Sequence, residues 1–376
     1  MNIQVALVAS LIAAATASGQ AFAWRRAQVD YLGPCSIAYD SARDRLVAFA
    51  GELHEWDGGQ WVRRSVAHPP SPTSDSQLAY DSLRRRLVLL QQVLGNSLQV
   101  YEFDGDDWVQ PATGPVVPPP RTLAAAAFDP ARGMVVVFGG RVAATQALGD
   151  TWGWNGTSWI QLASTGPTPR GSAAMAFHPP TGRLVLYGGD VGGNETWTFD
   201  GVQWLQVTPT TNPPSFFQHR MASDPTTGTV WMHDGASRAT WSWNGTDWSA
   251  DASLAQVART DFGLAADRNG PVVGGGTLQL GLAGGLLMIT AQSGDAWRLS
   301  NGAWTRLADG GPRLVNTGVC AFDENRGRMM VLDATSNLEM RTWEWNGTRW
   351  IDTDKVLAVL TGMATCFDPF RGRILG

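Results

Sequence analysis

The feature that most constrains the fold is a tryptophan-closed turn that occurs seven times along the chain. In each copy a strand-like segment runs into Asn-Gly or Asp-Gly, and a tryptophan follows three residues after the glycine, or two in the sixth copy. The closing residues are Trp61, Trp108, Trp159, Trp204, Trp248, Trp304 and Trp350. Asn-Gly and Asp-Gly readily adopt the left-handed conformations of a two-residue type I′ turn, so each copy predicts a tight β-hairpin.

The spacing of these hairpins indicates a repeat architecture. Successive closing tryptophans are 47, 51, 45, 44, 56 and 46 residues apart, about 48 on average. A β-rich unit of this length is typical of propellers and solenoids, in which each unit buries its faces against its neighbours. The chain of 376 residues therefore needs no division into two average domains.

The third copy shows the predicted unit most clearly. An alanine-rich strand (residues 122–128) meets a turn at Asp129, a second strand (residues 134–138) ends in Gly-Gly, and two further strands flank the Asn-Gly hairpin. Four short apolar segments separated by Gly, Pro and Asn predict a four-stranded antiparallel sheet. Such a twisted sheet cannot bury both faces alone, and radial stacking in a propeller would cover them.

This unit resembles the Kelch repeat of β-propellers, as in the central domain of galactose oxidase. The resemblance covers residues 24–376 and implies one all-β propeller domain of four-stranded blades. The radical copper oxidases of this kind need a cross-linked Cys-Tyr pair, a second Tyr and two His. That set cannot be mapped onto this chain, and the five histidines have no metal-ligand spacing, so we expect no metal and no cofactor.

The number of blades is left open between seven and eight. The first strand of each unit ends at a marker residue, and these markers are Asp40, Asp81, Asp129, His178, Asp224, Asp267, Asp323 and Asp368. The count predicts seven complete units and a partial eighth. A ring of eight would close by adding an N-terminal strand at Trp24 to the last blade and would imply a chain truncated at its C-terminus. Seven self-sufficient blades are the alternative.

The N-terminal segment predicts export. Residues 5–17 form an apolar run too short for a comfortable bilayer span, and Ala21-Phe22-Ala23 supplies small residues for cleavage, although the segment before the run has no Lys or Arg. We expect a signal peptide at residues 1–23, no membrane span in the mature chain, and a secreted, periplasmic or cell-surface protein. An uncleaved anchor is the alternative. The bias for arginine over lysine favours a bacterial source.

Charge and cysteine content limit the partners. The formal net charge is −5, and the arginines are dispersed, so no basic surface for nucleic acid is expected. We expect a monomer.

The three cysteines, Cys35, Cys320 and Cys366, occur in equivalent segments, and either one disulfide or three buried thiols accounts for them.

Candidate ligand contacts lie at the start of the inner strands. Arg121, Arg170 and Arg259 each precede their marker by eight residues, and His219 enters the corresponding strand of the fifth unit. Because first strands line a propeller channel, these residues predict a ring that binds carboxylates or acidic sugars at the channel mouth. The structural alternative is that the arginines bind carbonyl groups of neighbouring blades. The marker aspartates are explained by turn capping.

Loops between second and third strands provide further candidates. Arg141, Asp190 and Asn194 lie in variable loops on the connector face, where recognition is expected. The long insertion of the sixth unit, at residues 269–284, is expected on the opposite face.

Together these features predict a non-catalytic module that binds a carbohydrate or a protein, with no catalytic residue assigned. A sugar-acid isomerase or mutarotase is the first alternative and requires Asp or Glu beside the channel arginines. A structural or surface-display module of a larger protein is the second.

Overall fold

A computed structural model describes residues 34–375 except 74, 92–97, 192, 217–218, 254–257, 282–287, 293–294, 309–318, 324–327, 335–338, 346–349, 359–365 and 369–372. The predicted signal peptide and the strand at Trp24 lie outside these residues.

The first three repeats each form a four-stranded sheet. The first blade contains β1 (Ser36–Asp40), β2 (Arg45–Phe49), β3 (Leu53–Trp56) and β4 (Trp61–Arg63). The second contains β5 (Ser76–Asp81), β6 (Arg86–Gln91), β7 (Gln99–Phe103) and β8 (Trp108–Val109). The third contains β9 (Ala125–Asp129), β10 (Met134–Phe138), an inserted hairpin of β11 (Arg141–Ala143) and β12 (Gln146–Ala147), then β13 (Thr151–Trp154) and β14 (Trp159–Ala163).

The next three repeats have the same arrangement. The fourth blade contains β15 (Ala174–His178), a 3-10 turn (Pro179–Thr181), β16 (Arg183–Tyr187), β17 (Thr196–Phe199) and β18 (Trp204–Val207). The fifth contains β19 (His219–Ser223), β20 (Val230–Asp234), β21 (Thr240–Trp243) and β22 (Trp248–Asp251). The sixth contains β23 (Arg259–Thr260), β24 (Gly263–Asp267), β25 (Gly270–Gly274), β26 (Thr277–Gly281), β27 (Met288–Gln292), β28 (Ala296–Ser300) and β29 (Ala303–Ala308).

Two more sheets follow in the chain. One has four strands, β30 (Val319–Asp323), β31 (Arg328–Ala334), β32 (Glu339–Trp345) and β33 (Trp350–Ala358). The other pairs β34 (Cys366–Asp368) with β35 (Arg373–Leu375). Each four-stranded sheet is an antiparallel meander in chain order, with the sixth built from β24, β25, β28 and β29. The all-β fold of four-stranded blades is confirmed. Contacts between inner strands join six blades, and the additional four-stranded and two-stranded sheets are consistent with a total of seven or eight.

Packing of the inner strands arranges the first six blades in a ring. Consecutive inner strands contact one another from β1 through β5, β9, β15 and β19 to β24, and β24 also contacts β1. The amide of Cys35 donates to the carbonyl of Asp261 at 2.9 Å across this last junction. Ile37 and Trp61 of the first blade share a buried cluster with Ala265 of the sixth. The sixth blade therefore contacts the first directly.

The hairpin tryptophans fill the spaces between blades. Trp248 packs against Trp243 of its own hairpin at 5.2 Å and against Tyr187 of the preceding blade at 5.3 Å between ring centroids. Its indole N–H donates to the Thr196 hydroxyl of that blade at 2.9 Å. Trp204 makes the same bond to Thr151 at 2.8 Å. A buried indole with both ring contacts and a polar partner joins two sheets at once.

The marker residues cap turns, as predicted. The Asp81 carboxylate accepts the amides of Leu83 and Arg84, each at 3.0 Å, and its second oxygen accepts Arg84 Nε at 2.7 Å. In the fourth blade His178 Nδ1 hydrogen-bonds the Thr181 hydroxyl at 2.8 Å instead. In that blade the two residues after His178 are prolines, which have no amide hydrogen, and the Gly182 amide donates to the His178 carbonyl at 3.0 Å. This explains why the turn forms without a side-chain cap at the marker position.

The insertion of the sixth repeat was placed on the wrong face by the sequence interpretation. Asp267 pairs with Gly270, so β24 and β25 are joined by a tight turn, and the extra residues follow Gly274. The structural equivalents of Gly139 and Gly140 are Gly275 and Gly276, which share their positive φ angles. The insertion therefore connects the second and third strands and lies on the connector face.

We expect Gly263→Ala to destabilise the junction between the sixth and first blades. A methyl group at Gly263 would lie 2.2 Å from Ile37 Cγ1, and overpacking a filled core costs roughly 1–3 kcal/mol. Denaturant unfolding measures the loss. The double variant with Ile37→Ala should lose less stability than the sum of the two single variants, and strict additivity would contradict this contact.

Candidate functional site: the mouth of the central channel

The inner strands of the first six blades surround a cavity of about 80 Å³. Its wall includes the residue four positions before the marker in every one of these blades. These equivalent residues are Ser36, Gln77, Ala125, Ala174, Arg220 and Gly263. Because they are near the start of their strands, this level of the channel opens on the face that carries the blade connectors.

Two inserted sheets stand on the same face. In the third blade Thr122 bridges to Arg141 at the base of the β11–β12 hairpin. In the sixth blade β23 pairs with β26, and Thr260 lies opposite Thr277. The two insertions occupy the same repeat position three blades apart, so in a ring of six they flank the channel mouth from opposite sides.

The three predicted channel arginines are each buried inside their own blade. Arg121 makes two bonds to the Asp150 carboxylate, both at 2.9 Å, and donates to the Gly139 carbonyl at 3.0 Å. It is 1% exposed. The Gly139 carbonyl belongs to the same blade as Arg121, whereas the structural alternative predicts bonds to carbonyl groups of neighbouring blades.

The same arrangement recurs in two further blades. Arg170 binds Glu195 at 2.6 Å, and Arg259 binds Asp295 at 2.8 Å. In each blade the acid also accepts the indole N–H of the tryptophan two residues later; these tryptophans are Trp152, Trp197 and Trp297. The arrangement links the entry of the first strand to the start of the third, and ligand binding by these arginines stays a prediction.

His219 lies in the channel wall, but its ring is buried. Its Nε2 is 3.0 Å from the carbonyl oxygen of Tyr187 in the fourth blade. Burial, with a smaller contribution from the nearby Arg220 charge, lowers the pKa of this imidazole to about 4. The ring is therefore neutral at ordinary pH and holds two blades together.

Arg220 is the site residue that the sequence interpretation missed. Its Nη1 donates to the His219 carbonyl at 3.2 Å, and its guanidinium carbon lies 5.9 Å from the centre of the Phe262 ring. Throughout the described part of the chain, no carboxylate oxygen lies within the 4.0 Å ion-pair distance of this half-buried cation. Comparison of the repeats could have identified this residue, because Arg220 is the only charged residue at the position four before the marker in the six blades.

The predicted recognition loops meet between the third and fourth blades. Arg141 Nε lies 2.6 Å from Asp190 Oδ2, and the Gly171 amide donates to Asp190 at 3.0 Å. Asn194 is exposed further along the same loop as Asp190. The structure thus brings Arg141 and Asp190 together on the connector face.

Other reactive groups are few in the described residues. Cys35 is a free thiol, and burial raises its pKa to about 12, so it is a poor nucleophile. The described residues contain no cluster of three His, Cys, Asp or Glu side chains that would hold a metal ion. Nor do those residues include a helix with the length and apolar character needed to cross a bilayer.

We expect the stability of the protein to fall as the pH drops below about 6.5. The pKa of His219 is lowered to about 4 in the folded chain, whereas an unfolded histidine titrates near 6.5. The unfolded chain then binds the proton first, so unfolding becomes easier by roughly 1.4 kcal/mol per pH unit for this group. His233, whose pKa burial lowers to about 3, contributes in the same direction.

Urea unfolding at several pH values between 7.5 and 5 measures this slope. His219→Gln should reduce it, and Arg183→Gln serves as a charge-changing control outside the channel. An unchanged slope in the His219 variant would contradict the assignment.

Comparisons with known proteins agree with the fold and add no activity. No protein-family model and no curated protein matches the sequence. Among solved structures, one described as "Structure of YjhT" aligns with a TM-score of 0.51 at 11% identity, over 74% of this chain and 97% of that chain. At this identity the similarity shows the fold alone, and the chain is a β-propeller.

Proposed function

We propose that this chain is an exported Kelch-type propeller that acts as a non-catalytic module binding a carbohydrate or a protein. The tandem units with their Gly-Gly pairs support the Kelch assignment, and residues 1–23 support export. N-terminal sequencing of protein recovered outside expressing cells tests export, with Trp24 expected as the first residue.

One observation carries the binding proposal. At a single level of the channel mouth, Ser36, Ala125 and Ala174 contribute small side chains from three blades, and the cavity beside them is bordered by Gly263 and Arg220. Small residues at equivalent positions create space, and a cation beside that space provides a directional contact. A concave site with few placed polar groups is the usual form of a ligand site.

The same wall favours binding over catalysis. The described residues that line the cavity include no carboxylate. His219 is held neutral by burial, so the wall offers no acid–base pair of the kind that isomerases use. The acids that an isomerase would require, such as Asp150 and Glu195, lie next to Arg121 and Arg170 but are bound inside separate blades.

A cavity-filling substitution tests the proposal. We expect the purified protein to bind defined members of a glycan or peptide array, and Ala174→Phe to abolish that binding because the added ring occupies the channel mouth. Ala42→Phe makes the same change at an exposed residue and is expected to bind normally. Circular dichroism must show both variants folded. Binding that survives Ala174→Phe, or no binding at all, would contradict a ligand site in the channel.

A further inference from the structure

We infer that Arg220 is a ligand-binding residue and that it receives a single carboxylate group at the mouth of the channel. This inference names the ligand class for the site under Proposed function and rests on that proposal.

The first argument is that Arg220 is the only charged residue at its repeat position in the first six blades. The residues equivalent to Arg220 in the other five blades are uncharged, and three of them are Ala or Gly. A scaffolding arginine would be expected to recur, as Arg121, Arg170 and Arg259 do with their acids and glycine carbonyls. No arginine occupies the equivalent position in the other five blades, and Arg220 borders a space that all six inner strands share.

The second argument is charge. Arg121, Arg170 and Arg259 are buried, and each has a carboxylate partner within 2.9 Å. In the described residues Arg220 has only a neighbouring carbonyl oxygen and the face of Phe262. A guanidinium group has five donors in a planar arrangement that matches a carboxylate in two parallel hydrogen bonds. A half-buried cation without a counterion gains most from a ligand that supplies one.

The third argument is size. A cavity of about 80 Å³ would hold on the order of five water molecules, at roughly 15 Å³ for each. That is room for a carboxylate and the carbon that bears it, while the rest of the ligand would remain outside, between the two inserted sheets. The group would therefore enter from the connector face.

The fourth argument separates a carboxylate from a dianion. Among the described residues of the cavity wall Arg220 is the only cationic side chain. His219 does not add a second charge, because burial keeps its pKa at about 4. A phosphate dianion would leave one negative charge without a partner in a partly desolvated site, whereas a carboxylate is neutralised by one guanidinium.

The test uses small probes on the mature chain. Protein labelled with 15N-arginine is titrated with acetate, with acetamide as the neutral isostere, and with methyl sulfate and phosphate, and the Nε–Hε signals are followed. We expect acetate to shift the Arg220 signal saturably, with an affinity in the millimolar range. Acetamide is expected to bind at least about tenfold more weakly, since a hydrogen bond to a charged group is the stronger one.

Variants complete the test. Arg220→Gln should remove acetate binding when it is followed by calorimetry, and Arg220→Lys should weaken it because the planar two-bond geometry is lost. Arg183→Gln, at a residue that does not line the cavity, should leave acetate binding unchanged. If Arg220→Gln fails to fold, the acetate and acetamide titrations of the unaltered chain decide the question.

Three results would overturn the inference. These are an absence of saturable acetate binding, equal binding of acetate and acetamide, and tighter binding of phosphate or methyl sulfate than of acetate. Array binding that Ala174→Phe removes and Arg220→Gln preserves would leave the binding module intact and reject only the carboxylate. Acetate binding without any array ligand would support the carboxylate site and reject the module that binds a carbohydrate or a protein.

Discussion

Trp248→Ala is expected to lower the free energy of unfolding by about 3–5 kcal/mol, as for other large aromatic deletions in cores. Trp248 is 1% exposed, and its ring contacts both Trp243 in its own blade and Tyr187 in the preceding blade. Removing the indole opens a cavity where the two sheets meet and leaves the Thr196 hydroxyl without its donor. Denaturant unfolding of the purified variant measures the effect.

Two controls divide that loss into its parts. Trp248→Phe retains most of the ring contacts, so it should cost clearly less than the alanine variant. Thr196→Val removes the acceptor of the indole bond and should cost about 1 kcal/mol. If Trp248→Ala costs less than about 1 kcal/mol, this tryptophan does not join the two blades in the way described.

Arg121→Ala is expected to cost about 3–5 kcal/mol, because it removes one partner of a buried ion pair. Burial tends to raise the pKa of Asp150, but hydrogen bonds from Arg121 and Trp152 outweigh it and the net pKa is lowered. Without Arg121 the carboxylate keeps its desolvation and loses its counterion, and the Gly139 carbonyl loses a donor. Urea unfolding at pH 7 measures the loss.

A double-mutant cycle with Asp150→Ala is the matched control. The two residues share two hydrogen bonds of 2.9 Å, so the double variant should be more stable than the sum of the single losses predicts, with a coupling of roughly 0.5–3 kcal/mol. Additive losses would show that the pair does not act as a unit. Because the folded-state pKa of Asp150 is lowered, its contribution is present above the unfolded pKa and declines as the pH falls through the folded value.

Local features were predictable from sequence wherever they depend on near neighbours. In the turn at Asp81 the carboxylate accepts hydrogen bonds from the amides two and three residues later. The hairpin at Trp248 pairs it with Trp243, five residues earlier. Such contacts leave a repeating pattern, and the pattern predicted four strands for each blade.

The failures occurred where a residue's partner is distant along the chain. The sixth repeat was misaligned because its β24–β25 turn is only two residues long, which displaced the insertion to the wrong face. The channel arginines were recognised as a set, but their acids lie 25–36 residues away. Arg220 was overlooked because it lies at another repeat position, four residues before the marker, where most blades have small or polar residues.

The sequence by itself determined the four-stranded topology of each blade. Its turn residues, its alternating apolar segments and its period of about 48 residues act locally and admit one sheet topology. Only the tertiary structure decided which arginines are neutralised and which one borders the channel. Electrostatic compensation depends on what lies within a few ångströms, and Cys35 and Gly274, 239 residues apart, are brought together by packing of the sixth blade against the first. Small residues at one level of the inner strands border a shared cavity only when the ring is assembled.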